Sequence, residues 1–292
     1  ASQLFSLFSA TSRSPLLADA DISGTLEELS LSWGDELDLA GKLKIRKLGF
    51  KPEASAEEAY LGAENLELTA HLLKDRVWFD LEGLDGQLLT QDTFSEVIQY
   101  ESLNLAGLVD LSPNALSVTI PILSLINEEV ALKLAAQFTA PHVANGQSVP
   151  SHLDLYAEVK GPTPGKIGKY LPRHLISDNT YDYLISAIQD GRGELTRVVL
   201  SGEPAQMPYS DVEDTSQFCR FIVDADSRDA KFQFSPEWPT LAQLNANLLV
   251  DNSLMVISAQ QGQLGHLTLD HDVNAKIPLD EKNTTLHLGI TP

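Results

Sequence analysis

Seven histidines, one cysteine and 41 acidic residues are the groups in this 292-residue chain that could carry acid–base, nucleophilic or metal chemistry. His266 and His271 flank Asp270, but five residues apart on a strand they point to opposite faces, so one metal ion takes both only across a bulge. His142 and His152 stand on either side of a Pro/Gly-containing loop, and His71, His174 and His287 stand alone. Zinc needs three or four convergent ligands, and no HExxH occurs, so neither a metal nor a cofactor is expected. Asp224-Ala225-Asp226-Ser227-Arg228-Asp229 opens like a calcium loop. Arg228 follows where carboxylates or glycine should cluster, however, and no glutamate holds the twelfth position. The stretch reads better as a polar turn joining strands 218–223 and 231–234. Cys219, between Phe218 and Arg220, reads as a buried, inert thiol, and as the lone cysteine it forms no intramolecular disulfide. Asp211, Glu213 and Asp214 read as a solvated loop. GxSxG elbows, Walker loops and GxGxxG fingerprints are absent. A carboxylate pair for glycoside hydrolysis is defined by separation in space, and nothing in sequence selects one. No catalytic residue is assigned, and the chain is read as non-enzymatic.

The elements that would position such groups are mostly strands. Leu29, Leu31 and Trp33 alternate with serines, Leu37 and Leu39 with aspartates, and Leu43 and Ile45 with Lys42, Lys44 and Arg46, the period of two expected of strands with one wet face. Further strands are expected over 76–81, 98–111, 116–125, 130–138, 153–159, 195–201, 218–224, 231–234, 244–250, 254–258, 267–269 and 285–288. One region breaks the period. Tyr181, Leu184, Ile185 and Ile188 form a helical stripe, with Asp178 or Asn179 as N-cap and Gly191 as terminator. The fold expected is mainly β: an elongated, twisted and curled antiparallel sheet, groove or open barrel-like, with a short helical insert around 164–190. An N-terminal β region, 1–160, precedes the insert and a C-terminal β region over 161–292. The pattern G-x-L-x-x-(L/V)-x-L recurs at Gly24, Gly193 and Gly262, and its three-residue Leu-to-Leu step implies a bulge or a crossing between sheets.

Net charge limits the partners. With 41 acidic against 20 basic residues the chain carries −21 and a pI near 4.5, which disfavours nucleic acid and anionic membrane surfaces alike. At 43% hydrophobic residues it is too apolar for disorder. The basic residues cluster: Lys42, Lys44, Arg46, Lys47 and Lys51 in one patch, Lys160, Lys166, Lys169 and Arg173 in another. Each is read either as a solvated face or as a contact for head groups or a partner. Prolines and polar residues interrupt the longest uncharged stretch, 111–127, so it is a poor membrane span. With no initiator Met and no leader pattern, the chain reads as a piece of a longer protein, any targeting segment lying outside it.

Tyr170-Leu171-Pro172-Arg173-His174-Leu175-Ile176, followed by Asp182-Tyr183-Leu184-Ile185-Ser186-Ala187-Ile188-Gln189-Asp190-Gly191, resembles a segment of YhdP-type members of the AsmA-like family. The likeness continues in order through Gly193 to Gly202, a proline-containing acidic loop, Phe232-Gln233-Phe234-Ser235-Pro236-Glu237-Trp238-Pro239 and Leu244 to Leu269. Leu48 to Pro52 and Ala63 to Leu66 match more weakly. The resemblance implies a Gram-negative envelope protein, anchored in the inner membrane by an N-terminal helix and extended through the periplasm by β-structure, of which this chain is a soluble piece. It also implies a role in phospholipid movement toward the outer membrane and in envelope lipid homeostasis, in an apolar groove like that of bridge-like lipid-transfer proteins.

A sheet curled into a trough needs an apolar concave face, bulges to curve it and little catalytic machinery. Phospholipid acyl chains would enter it because burial returns about 0.8 kcal/mol per methylene without directional contacts. Candidate groove residues are Leu244, Ala246, Leu248, Val250, Leu254, Val256, Leu267 and Leu269; candidate head-group or partner contacts are Lys42, Lys44, Arg46, Lys166, Lys169 and Arg173. Two other readings stay open here: a structural or interaction module for envelope proteins, docking through the Tyr170 to Ile188 region, and a carbohydrate-active β-protein.

Overall fold

A computed structural model describes residues 20–34, 39–52, 61–90, 94–112, 115–144, 147–161, 164–171, 173, 178–207, 209, 219–233, 235–269, 273–278 and 287–290. Asp211, Glu213, Asp214, His174 and His271 lie outside them. The strands are β1 (Ala20–Trp33), β2 (Leu39–Pro52), β3 (Leu61–Leu73), β4 (Arg76–Thr90), β5 (Ile98–Asp110), β6 (Ser117–Ile126), β7 (Ala131–Thr139), β8 (His142–Ala144), β9 (Gln147–Val149) and β10 (His152–Lys160). They continue as β11 (Ile188–Gly202), β12 (Arg220–Phe232), β13 (Leu241–Asp251), β14 (Leu254–Leu264), β15 (Leu267–Leu269), β16 (Val273–Pro278) and β17 (His287–Ile290). One α-helix, α1 (Asp178–Ala187), and 3-10 turns at Pro164–Tyr170 and Pro204–Gln206 complete the described elements. The sheet is an open meander from β1 to β7, then β10 to β14, β16 and β17, with β15 on β14 and β8–β9 as a separate hairpin. None of the described helices is long and apolar enough to cross a membrane.

The chain divides into two compact units, residues 1–128 with 135–150 and residues 129–134 with 151–292. In the first, cross-strand pairing aligns Leu29, Leu43, Ala70, Phe79 and Gly107 in one row; the adjacent row is Glu28, Lys44, Thr69, Asp80 and Ala106. Paired residues share a face and successive residues alternate, so one face is apolar and the other charged. The second unit repeats the arrangement: Ala157, Val198, Val223, Val250, Met255 and Ile277 align beside a row of Glu158, Arg197, Asp224, Leu249, Val256 and Lys276. The alternation read from sequence is therefore that of a half-wet antiparallel sheet.

Several strands change phase part-way. Lys47, Asn65 and Asp85 have φ of 50°, 62° and 48°, at matching heights of β2, β3 and β4; Asp229 and Gln243 do the same in β12 and β13 at 51° and 54°. These are bulges that bend their strands; at Asp85 a step of four residues in β4, Gly83 to Gln87, spans a step of two in β3. Across the crease the apolar face passes from odd to even numbers, from Ile45 to Leu48 in β2 and from Val223 and Ala225 to Ala230 and Phe232 in β12. On the first unit's crease Tyr100 is buried and its hydroxyl donates to the Glu64 carbonyl at 2.5 Å. Gly83 and Gly86 make room for it: a Cβ on Gly83 would stand 2.7 Å from that hydroxyl, and one on Gly86 would meet the hydroxyl, the ring and the Glu64 carbonyl.

Three local expectations are corrected. Asp224 to Asp229 is not a turn but the middle of the continuous strand β12; its carboxylates project from the polar face and its apparent break is the bulge at Asp229. Gly191 does not end the helix, which stops at Ala187 and passes directly into β11; at φ 132° Gly191 lies in a bulge against Ala230. The G-x-L pattern is not one repeated device. Gly24 and Gly193 sit at bulges of β1 and β11, whereas Leu264 and Leu267 face each other across the β14–β15 turn.

Candidate functional site

The apolar face of the second unit gathers half of the sequence-derived groove candidates. Leu244, Ala246, Leu248 and Val250 share it, Leu244 buried in a core cluster and the other three packed half-buried against it. Leu254 and Val256 pair with Asp251 and Leu249 and so occupy the charged face. Leu267 stands opposite Leu264 at a hairpin end, 66% exposed, and Leu269 pairs with Gly262. The neighbours of Leu248 and Val250 on their own face are instead Ile257 and Met255, the latter fully buried, with Ala259, Ala275 and Ile277 beyond. A signal for these was present. The two-residue turn Asn252-Ser253 pairs Asp251 with Leu254, so even residues of β13 share a face with odd residues of β14.

In the first unit the same kind of face is more open. Leu43, Leu68, Ala70, Phe79, Leu81, Leu105, Val109 and Leu123 are half-buried, and no described helix belongs to this unit. Half-exposed apolar side chains in continuous rows form a surface suited to hydrocarbon, which is held by area and without directional bonds.

The basic candidates lie away from these apolar rows. Lys42 pairs with Glu28 at 2.7 Å, Lys44 with Glu27 at 3.3 Å, and Arg46 with Glu27 at 2.9 Å and Glu67 at 3.7 Å, a lattice across β1, β2 and β3 on the charged side. Lys51 reaches Glu64 at 2.5 Å, and its hydrogen bond, with one from Gln87, holds that carboxyl below its ordinary range. In the second unit Arg197 pairs with Asp224, and the Asn247 amide donates to Asp224 and Asp226 at 2.6 and 3.1 Å.

A sequence model of the YhdP protein family matches residues 2–291 of this chain. The chain belongs to the YhdP family. One relative is the intermembrane phospholipid transporter YhdP of Escherichia coli (strain K12), 32% identical over 96 residues, which is 33% of this chain and 7% of that protein. The chain thus matches only a small part of that relative's length. No solved structure matches.

In this YhdP-family chain the helical insert lies on the second unit's apolar face. Ala187 is buried within the core cluster, and Tyr183 packs against it, its phenol pushed up to about 12 by burial. The preceding 3-10 turn is tied to the start of β7: Lys166, Lys169 and Tyr170 all donate to the Glu129 carboxylate, which they hold down at about 2. Arg173 stands over the Tyr181 ring, 4.6 Å from its centroid. Near the opposite strand ends, Tyr209 and Cys219 are buried with Leu200, closing that part of the face from the β11–β12 side.

Proposed function

We propose that this chain is a non-enzymatic, periplasmic stretch of an inner-membrane-anchored protein, and that its apolar sheet face carries phospholipid acyl chains between the inner and outer membranes. The observation that carries the reading is the separation of faces: rows of half-buried Leu, Val and Phe on one side, and ion pairs on the other, over both units. Similarity to a protein named as an intermembrane phospholipid transporter supports the cargo. A passing acyl chain needs contact without fixed partners, which hydrocarbon rows supply. The charged side keeps the sheet apart from anionic surfaces.

The test places a photo-crosslinking amino acid at adjacent positions of opposite facing. Leu248 and Leu81 on the apolar face should give phospholipid adducts in cells, while Leu249 and Glu82 should not. Equal labelling at Leu248 and Leu249, or none at Leu248 and Leu81, would reject the assignment.

A further inference from the structure

Glu129 receives three hydrogen bonds from one seven-residue turn: Lys166 Nζ donates at 2.8 Å, Lys169 Nζ at 3.0 Å and Tyr170 Oη at 2.6 Å. Two ammonium groups and a phenol around one anion form a donor set that also suits phosphate, which brings more acceptor oxygens and greater charge than a carboxylate. Lys166 is 59% exposed, so an anion from solvent can reach the cluster. The turn in turn holds α1. Tyr181 Oη donates to the Gly168 carbonyl at 3.1 Å, and a Cβ on Gly168 would stand 2.8 Å from Ile185 Cγ2. The far side of α1 covers apolar sheet through Tyr183 and Ala187. A continuous set of contacts therefore runs, within one unit, from the Glu129 carboxylate through the turn and α1 to the apolar face.

We propose that Glu129 is an internal stand-in for a phosphate ligand: an anionic phosphate group taken up by Lys166, Lys169 and Tyr170 displaces the carboxylate, and α1 then lifts from the apolar face it covers. If the phosphate belongs to a phospholipid, which rests on the transport reading above, the head group itself uncovers the surface that its acyl chains require. The ligand acts by binding the lifted state better than the covered one, since Glu129 competes for its donors only in the covered state.

Spin labels at Asp182→Cys on α1 and Lys231→Cys on β12, in a Cys219→Ser background checked for native circular dichroism, report the position of the helix. Vesicles of phosphatidylglycerol should lengthen the distance, and dodecyl maltoside, with a similar alkyl chain and no phosphate, should not. Inorganic phosphate separates the sources: lengthening by it as complete as by lipid assigns the site to free phosphate, and lengthening by lipid alone assigns it to a head group. Glu129→Gln should raise the lifted fraction about fivefold without ligand, the size expected of two partly exposed ion pairs. Lys166→Gln with Lys169→Gln should lift α1 equally but abolish the response to phosphate. An unchanged distance in Glu129→Gln, or an equal response to dodecyl maltoside, overturns the proposal. Lipid adducts at Leu248 with α1 unmoved would defeat the exchange and leave transport standing. Absence of adducts would defeat transport, and the inorganic phosphate arm would still decide the exchange.

Discussion

Tyr100 and Glu129 show how single side chains set local energies. Tyr100 lies in a niche that Gly83 and Gly86 leave open, and its hydroxyl is the partner of the Glu64 carbonyl. Gly86→Ala drives a methyl into the ring and is expected to cost about 1–3 kcal/mol in urea unfolding. Tyr100→Phe keeps the ring and loses only the hydrogen bond, so about 1 kcal/mol is expected. Glu129 titrates in the opposite sense to a buried acid. Hydrogen bonds from Lys166, Tyr170 and Lys169 lower its carboxyl from an ordinary 4.5 to about 2. A depressed carboxyl contributes stability above its unfolded value and loses it as pH falls through the folded one, so attachment of the turn holds at neutral pH and fades between about 4.5 and 2. Carbon-detected NMR titration of Glu129 should show this low midpoint, and Lys166→Ala with Lys169→Ala should move it back toward 4.5.

At the scale of elements, facing decides the effect of a substitution more than residue type does. Leu248 and Leu249 are neighbours in β13, yet the first packs on the apolar core and the second lies between Asp224 and Val256 on the charged side. Leu248→Gln should cost about 2–4 kcal/mol in urea unfolding, from lost packing and a poorly paired amide, and Leu249→Gln should stay within about 0.5 kcal/mol. The strands were legible because alternation is a direct consequence of one wet face, and α1 because Tyr181, Leu184 and Ile185 interrupt it with a different period, whereas Ile188, the fourth member of that stripe, already belongs to β11. What misled was polarity inside a strand. Asp224 to Asp229 resembles a turn by composition, and only partners on β11 and β13 make it a strand. The groove candidates on β13 and β14 are likewise all even-numbered, and the Asn252-Ser253 turn, which reverses parity between the two strands, places Leu254 and Val256 on the other side.

For the whole molecule, charge is the governing quantity. Net −21 leaves half of the carboxylates without a basic counterpart even if every Lys and Arg is paired, so self-repulsion outweighs the cross-strand pairs. Screening at 0.1 M salt acts beyond about 10 Å, which reaches the diffuse repulsion more than contacts near 3 Å. The melting temperature should therefore rise as sodium chloride is raised from low to moderate concentration, measured by circular dichroism; a fall would mean that the ion-pair lattice around Glu27, Lys44 and Arg46 dominates.

The crease gives the strands that carry it something akin to a reading frame. On one side of Lys47 the apolar residues of β2 are odd, on the other even, and β3 changes frame at Asn65 beside it, β4 at Asp85 beyond. Deleting Lys47 removes the extra residue itself, so Leu43, Ile45, Leu48 and Phe50 return to plain alternation on one face and the strand loses its bend, not its facing. Deleting Lys44 from the regular stretch instead acts as a frameshift that sets Leu43 and Ile45 on opposite faces. No substitution at those apolar positions repairs such a change; a one-residue insertion nearby does. Length is therefore constrained within each regular stretch separately, and a lysine on the charged side becomes as hard to delete as a core residue.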